Sequence, residues 1–206
     1  ALSFMWIAVP GPDLMRWTER PVDLPLQPLS ALRTRVPALS PFAPSMPGLL
    51  VIVTDGVREE VLRHLRRSQD EQGGLLLGEV FASGESMSVA ESRAVLVRQA
   101  IPALDFSSSG ISLRMESGVW ERARLALGPH ELIVGWYHSH PGLGAFFSAT
   151  DRRTQAAFFA HPYSIGWVLD PVLDEEMLFV GRESVAPGAI VRVAGPGACA
   201  SDVACT

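Results

Sequence analysis

The sequence contains no lysine: all seventeen of its basic side chains are arginine, set against 22 Asp and Glu for a formal net charge of −5. No basic block is present, so nothing points to a nucleic-acid partner. The absence of lysine has a plain compositional explanation, because richness in Ala, Gly, Pro and Arg suggests GC-rich codons. Cysteine is nearly absent as well. Cys199 and Cys205 lie in a Gly-Ala-Ser tail outside the regular part of the chain, where a disulfide, free thiols and incidental residues are all open readings. No apolar run is long enough to cross a membrane. The stretch from Leu2 to Val9 is short and lacks a basic lead, which makes it a poor signal peptide. A cytoplasmic location is expected. The missing initiator Met suggests processing or an artificial boundary.

What the chain does have is apolar content, 48% over 206 residues, enough for a sizeable core in one domain with an added arm. The first 47 residues hold nine of the sixteen prolines and exclude long helices or central strands. A mobile linker and an arm packed through Phe4, Trp6, Trp17 and several leucines both fit this segment. The expected organisation is a Pro-rich arm or linker over 1–47, a domain over 48–194 and a flexible tail over 195–206. Within the domain, apolar patterning predicts strands at Leu50 to Val53, Leu75 to Phe81, Met87 to Ser92, Ala94 to Ile101, Leu132 to Tyr137, Ile165 to Leu169, Met177 to Val180 and Ala189 to Val193. Helices are expected from Val57 to Arg67, capped by Asp55, from Ser117 to Leu127, and from Ser148 to near His161-Pro162. Val57, Val61 and Leu65 would line the buried face of the first helix, with Arg58, Arg63, Arg66 and Arg67 on a solvated one. The pattern implies an α/β fold with a mixed central β-sheet flanked by helices.

The chemistry-bearing segment is His138-Ser139-His140-Pro141, followed by Ser148-Ala149-Thr150-Asp151. Residues i and i+2 of a strand face one side, so the two imidazoles would project together from the end of the Leu132 to Tyr137 strand. Pro141 stops the pairing, and Gly142 and Gly144 let the chain turn back. Asp151 would return in the first turn of the next helix as a third ligand. Two imidazoles and a carboxylate with a fourth position open is the ligand set of catalytic rather than structural zinc. A water in that position would be brought toward neutral pKa, and it needs a proton acceptor. Ser148-x-x-Asp151 also reads as a capping box. The paired histidines upstream favour the ligand reading. His64, His130 and His161 lack ligand spacing and are expected at the surface or as caps.

In this pattern the sequence resembles the JAMM (MPN+) metalloprotease family, whose signature is an upstream glutamate, then His-x-His-Pro, then Ser-x-x-Asp. Gly135-Trp136-Tyr137-His138-Ser139-His140-Pro141-Gly142 is similar to the core of the proteasome-lid and signalosome deubiquitinases, and Thr154-Gln155 continues the likeness. Glu71-Gln72-Gly73-Gly74 matches the family's Glu-x-x-Gly before a strand, and the resemblance covers roughly Leu49 to Val193. It implies one catalytic Zn2+ on His138, His140 and Asp151, with Glu71 as general base and Ser148 as oxyanion donor. Glu79 competes with Glu71 but lies at the far end of the apolar strand, without the family spacing. No ligands for a second, structural zinc are visible.

The resemblance further implies the family's sandwich fold and a bacterial-type isopeptidase acting at the C-terminal glycine of a ubiquitin-like protein or its conjugates. E1-like and E2-like enzymes of the same pathway would be partners. Bacterial relatives act in conjugation linked to phage defence or in sulfur-carrier metabolism, so processing of a sulfur carrier or its amino-acid adduct is the alternative, and a non-catalytic MPN scaffold a further one. In the family the substrate tail lies beside the active site as an added strand. Here it would run between the segment after Glu71 and the Ser-rich loop from Asp105 to Gly110. Beside such a pathway a lysine-free enzyme would also escape becoming a target of conjugation.

Overall fold

The computed structural model describes residues 24–36, 48–84, 87–104 and 117–194. The Ser-rich loop, the cysteine-bearing tail and most of the Pro-rich arm lie outside them. Two long strands carry the framework: β3 (Gly73–Ala82), whose ten residues are all buried, and β4 (Ser92–Pro102), its antiparallel neighbour. β5 (Leu132–Ser139) runs antiparallel to the first half of β3, and β6 (Ile165–Asp170) runs parallel to β5. β7 (Glu175–Val180) closes that edge as a hairpin with β6. On the other side β2 (Leu50–Thr54) pairs in parallel with both β4 and β8 (Ala189–Val193). The sheet is mixed, in the order β7-β6-β5-β3-β4-β2-β8.

One face of the sheet is covered by α2 (Asp55–Leu65), whose Val57, Val61, Leu62 and Leu65 pack on Leu76, Val95, Val97, Tyr137 and Trp167. The other face carries α3 (Ser117–Ala126) through Val119 and Ala123, and the end of α4 (Ala149–Phe158) through Phe159, over Leu75, Leu77, Trp136 and Val168. These successive residues split between the faces as strand alternation requires. Trp136 and Tyr137 are adjacent in the chain yet belong to opposite cores.

β5 reaches only to Gly78 on β3, and part of the Pro-rich segment fills the remainder. β1 (Gln27–Pro28) pairs in parallel with Phe81 and Ala82. A 3-10 turn at Leu29–Ala31 leads into the single-turn α1 (Leu32–Arg35), which buries Leu32 completely against Leu50, Ile52, Phe81 and Leu96. Arg35 then donates to Glu79 at 2.9 Å, and Arg98 donates to the other carboxylate oxygen at 3.1 Å.

Three local expectations are corrected. Met87 to Ser92 is not a strand: Val89–Glu91 is a 3-10 turn in which Ser88 and Glu91 form a reciprocal capping box, so the Ser-x-x-Glu signal prevails over the apolar alternation. Thr54, not Asp55, caps α2, its hydroxyl accepting from the Val57 amide, while Asp55 sits in the first turn where its charge suits the helix dipole. His64 is buried rather than at the surface, because it falls on the apolar side of α2 and places Nδ1 3.0 Å from the Tyr137 hydroxyl. Burial, then the nearby Arg67, lowers its pKa. His130 is exposed, and His161 is half-buried against the Tyr163 ring.

Candidate metal centre

The end of β5 is held on both sides. His138 pairs with Gly73 of β3 and Val168 of β6, and the His140 amide donates to the Leu169 carbonyl at 3.0 Å. Strand alternation then sends Trp136, His138 and His140 to one face. The two Nε2 atoms meet at 3.2 Å.

Beyond His140 the chain reverses through Gly142 and Gly144, both at positive φ (74° and 88°), a conformation that costs an L side chain. Their amides point at a buried carboxylate that sequence reasoning missed. Asp170, at the end of β6, accepts from Gly142 (3.0 Å), Gly144 (2.7 Å), Val172 (2.8 Å) and Leu173 (3.1 Å). Burial opposes its ionisation, but these four amides hold its pKa at about 2. One charged side chain thus ties the loop after His140 to the β6–β7 turn. The available signal was an Asp-Pro pair closing an apolar strand, which by itself reads only as a turn.

The loop delivers Ser148 as the N-cap of α4. Ser148 Oγ accepts from the Asp151 amide at 3.2 Å, and Asp151 Oδ2 accepts from the Ser148 amide at 2.7 Å. The capping box is therefore real, and it does not compete with the ligand reading: the cap fixes the Asp151 carboxylate against the histidines, with Oδ1 3.4 Å from His138 Nε2 and Oδ2 3.6 Å from His140 Nε2. Burial works against the Asp151 charge, yet the hydrogen bond and charge of His138, together with Ser148, hold its pKa at about 2. Burial, then the neighbouring His138, lowers the pKa of His140 and favours the neutral imidazole.

His138, His140 and Asp151 are all buried and form a group that could hold a metal ion, with their ligand atoms within 4.8 Å of one another. A tetrahedral ion with bonds of about 2.0–2.1 Å separates its ligand atoms by about 3.3–3.4 Å. The imidazoles stand 3.2 Å apart, and the carboxylate turns a different oxygen to each, Oδ1 at 3.4 Å to His138 and Oδ2 at 3.6 Å to His140, so the three groups lie close to that spacing. Two buried Nε2 atoms facing each other beside a carboxylate otherwise carry more acceptors than donors, which suits a cation at their centre.

Glu71 reaches the same place from the segment just before β3. Ser139, between the two histidines, accepts from the Gln72 amide on Oγ at 2.9 Å and donates its own amide to the Gln72 carbonyl at 2.9 Å. That clamp puts Glu71 Oε1 3.8 Å from His140 Nε2, with the side chain 45% exposed while those of the three candidate ligands are at most 7% exposed. Burial raises the Glu71 pKa, with His138 opposing and Asp151 adding to the rise. Glu79 lies elsewhere, engaged by Arg35 and Arg98.

Residues 54–179 match the family described as prokaryotic homologs of the JAB domain. The chain is 32% identical over 119 residues to the 26S proteasome regulatory subunit rpn11 of Schizosaccharomyces pombe, covering 55% of this chain and 35% of that protein. It is 29% identical over 119 residues to the ubiquitin carboxyl-terminal hydrolase RPN11 of Saccharomyces cerevisiae, covering 55% and 36%. The chain therefore spans little more than a third of the length of these relatives. A solution structure from Desulfitobacterium hafniense shares the fold at a TM-score of 0.54 and 22% identity, over 70% of this chain and 94% of that one. With a mixed α/β sheet and a buried His-His-Asp group in the matching segment, the chain belongs to the prokaryotic JAB-domain homologues, within the MPN/JAMM family.

Proposed function

We propose that the protein is a zinc-dependent isopeptidase that cleaves after the C-terminal glycine of a ubiquitin-like protein, releasing it from a conjugate or trimming its precursor. The observation that carries the reading is the convergence of the buried His138, His140 and Asp151 side chains within 3.2–3.6 Å of one another, with Glu71 beside them on the accessible side. Zn2+ held by the three side chains would supply Lewis acidity for the scissile carbonyl and lower the pKa of an attacking water toward neutrality. Glu71 takes the proton of that water on its carboxylate and passes it to the leaving amine, a role helped by its raised pKa. Ser148 Oγ accepts from the Asp151 amide, which orients the hydroxyl without using its proton, and that proton donates to the developing oxyanion. Such a donor contributes about 3–4 kcal/mol of transition-state stabilisation.

The substrate class rests on the relatives, one of which is named a ubiquitin carboxyl-terminal hydrolase. E1-like and E2-like enzymes would be the protein's pathway partners. The reading is tested by incubating the protein with a ubiquitin-like protein fused to a C-terminal reporter, with and without chelator, beside Glu71→Gln. Cleavage is expected to be lost in both treatments and restored by Zn2+ only in the wild type. Cleavage that survives both overturns the mechanism.

A further inference from the structure

Ligating histidines are ordinarily oriented by a hydrogen bond from the ring nitrogen that does not bind the metal. His138 has none: its Nδ1 is buried and finds no hydrogen-bond partner among the described residues. Its ring instead lies flat on the Trp136 indole, with centroids 4.5 Å apart and an interplanar angle of 8°. The indole is fixed in turn. Trp136 Nε1 donates at 2.7 Å to Oε1 of Gln155, a fully buried amide that returns both of its hydrogens to the carbonyls of Phe159 and Ser164, each at 3.1 Å.

Gln155 stands one helical turn after Asp151 on α4, so it and Asp151 share a face of that helix. Trp136 stands two residues before His138 on β5, so it and His138 share a face of that strand. The hydrogen bond between Gln155 and Trp136 therefore joins the element that carries the carboxylate to the element that carries the first imidazole. Phe147 closes the stack from the side, 5.7 Å from Trp136 and 5.8 Å from His138 between ring centroids.

We infer that Trp136 and Gln155 are positioning residues of the metal centre: the Gln155-anchored indole sets the His138 ring plane by stacking, in place of the missing hydrogen bond, and keeps His138 and Asp151 in register. The inference rests on the metal-site reading and adds to it two residues that touch neither metal nor substrate. Outer groups of this kind typically govern metal affinity by about 10–100-fold.

The test uses the full chain and metal affinity, not turnover, as its readout. Zn2+ affinity is measured by competition with a chromophoric chelator, and the d–d spectrum of the Co2+-substituted protein reports ligand geometry. Gln155→Met and Trp136→Phe each delete the same hydrogen bond while keeping apolar or aromatic bulk. In folded protein each is expected to weaken Zn2+ binding about 10-fold or more and to alter the Co2+ spectrum. The double variant is expected to be little worse than Gln155→Met alone, because the bond that Trp136→Phe removes is already gone there. Wild-type affinity and spectrum in folded single variants, or losses that multiply in the double, overturn the inference. If one single variant does not fold, the other decides. Failure of the underlying metal-site reading looks different: the wild type itself would then bind no Zn2+ that His138→Ala abolishes.

Discussion

Ser139→Ala isolates the contribution of a residue that holds Glu71, the proposed base, in place. In the structure Ser139 Oγ accepts from the Gln72 amide at 2.9 Å, and the reciprocal backbone bond from Ser139 to the Gln72 carbonyl does not involve the side chain. The substitution thus removes the bond from the Gln72 amide and a weak 3.5 Å donation from Oγ to the Gln72 carbonyl, and leaves the backbone bond as the remaining contact that pins the residue next to Glu71. Gln72 is half-buried, so water can partly replace the lost acceptor, and the net cost is about 0.5–1.5 kcal/mol. If that cost appears as freedom of Glu71 to leave its place beside His140, kcat falls about 2- to 10-fold. Zn2+ stoichiometry should not change, because the three candidate ligands keep their own supports. Ser139→Thr retains the hydroxyl and should restore the rate. The assay is kcat on a ubiquitin-like fusion, repeated in the Glu71→Gln background. There the second substitution should add little, since the group it positions is gone. An equal loss in both backgrounds, or a wild-type kcat for Ser139→Ala, refutes the clamp.

Asp170→Asn replaces an anion that accepts four backbone amides with a group that presents an NH2 to some of them, and should cost about 2–4 kcal/mol in urea unfolding. Its pH dependence carries a sign: the folded carboxyl at about 2 lies below the 3.8 of an unperturbed aspartate, so its stabilisation is present above that value and lost as pH falls through the folded pKa. The stability gap between wild type and variant should be flat near neutrality and close between about pH 4 and pH 2. Glu79→Gln weakens the pairing with Arg35 and Arg98, whose guanidinium groups stay partly solvated, and should lower stability by about 1–2 kcal/mol, with cleavage per folded molecule unchanged because Glu79 stands away from the metal group. Tyr137→Phe leaves buried His64 Nδ1 without its 3.0 Å partner, and should cost about 1–3 kcal/mol by thermal unfolding without altering Zn2+ binding.

The elements that carry the site were legible because their patterns are local. The apolar run into His138, the i, i+2 histidines and Ser148-x-x-Asp151 each encode their own geometry, and the structure makes the cap and the His-His-Asp cluster one arrangement. The 3-10 turn at Val89–Glu91 was misread where two local signals, alternation and a capping box, overlapped. What was not legible depends on pairing across the sheet. Ser139 reads as a spacer until Gln72 is placed opposite it, and Asp170 reads as a turn residue until the Gly142 and Gly144 amides are brought to it. His64 and Gln155 are polar residues on helix faces whose partners, Tyr137 and Trp136, come from another strand. Arg35 lies in a proline-rich stretch with no periodicity, and that stretch is seen to pack on the sheet only once Leu32 is placed against Leu50, Ile52, Phe81 and Leu96, and Arg35 against the buried Glu79.

The central claim is that His138, His140 and Asp151 hold one Zn2+ ion, and the most direct test is the zinc content of purified wild type and His138→Ala by elemental analysis. One ion per chain in the wild type, lost in His138→Ala, is the predicted result. An unchanged stoichiometry in His138→Ala, or no zinc in a folded, zinc-replete wild type, would contradict the account.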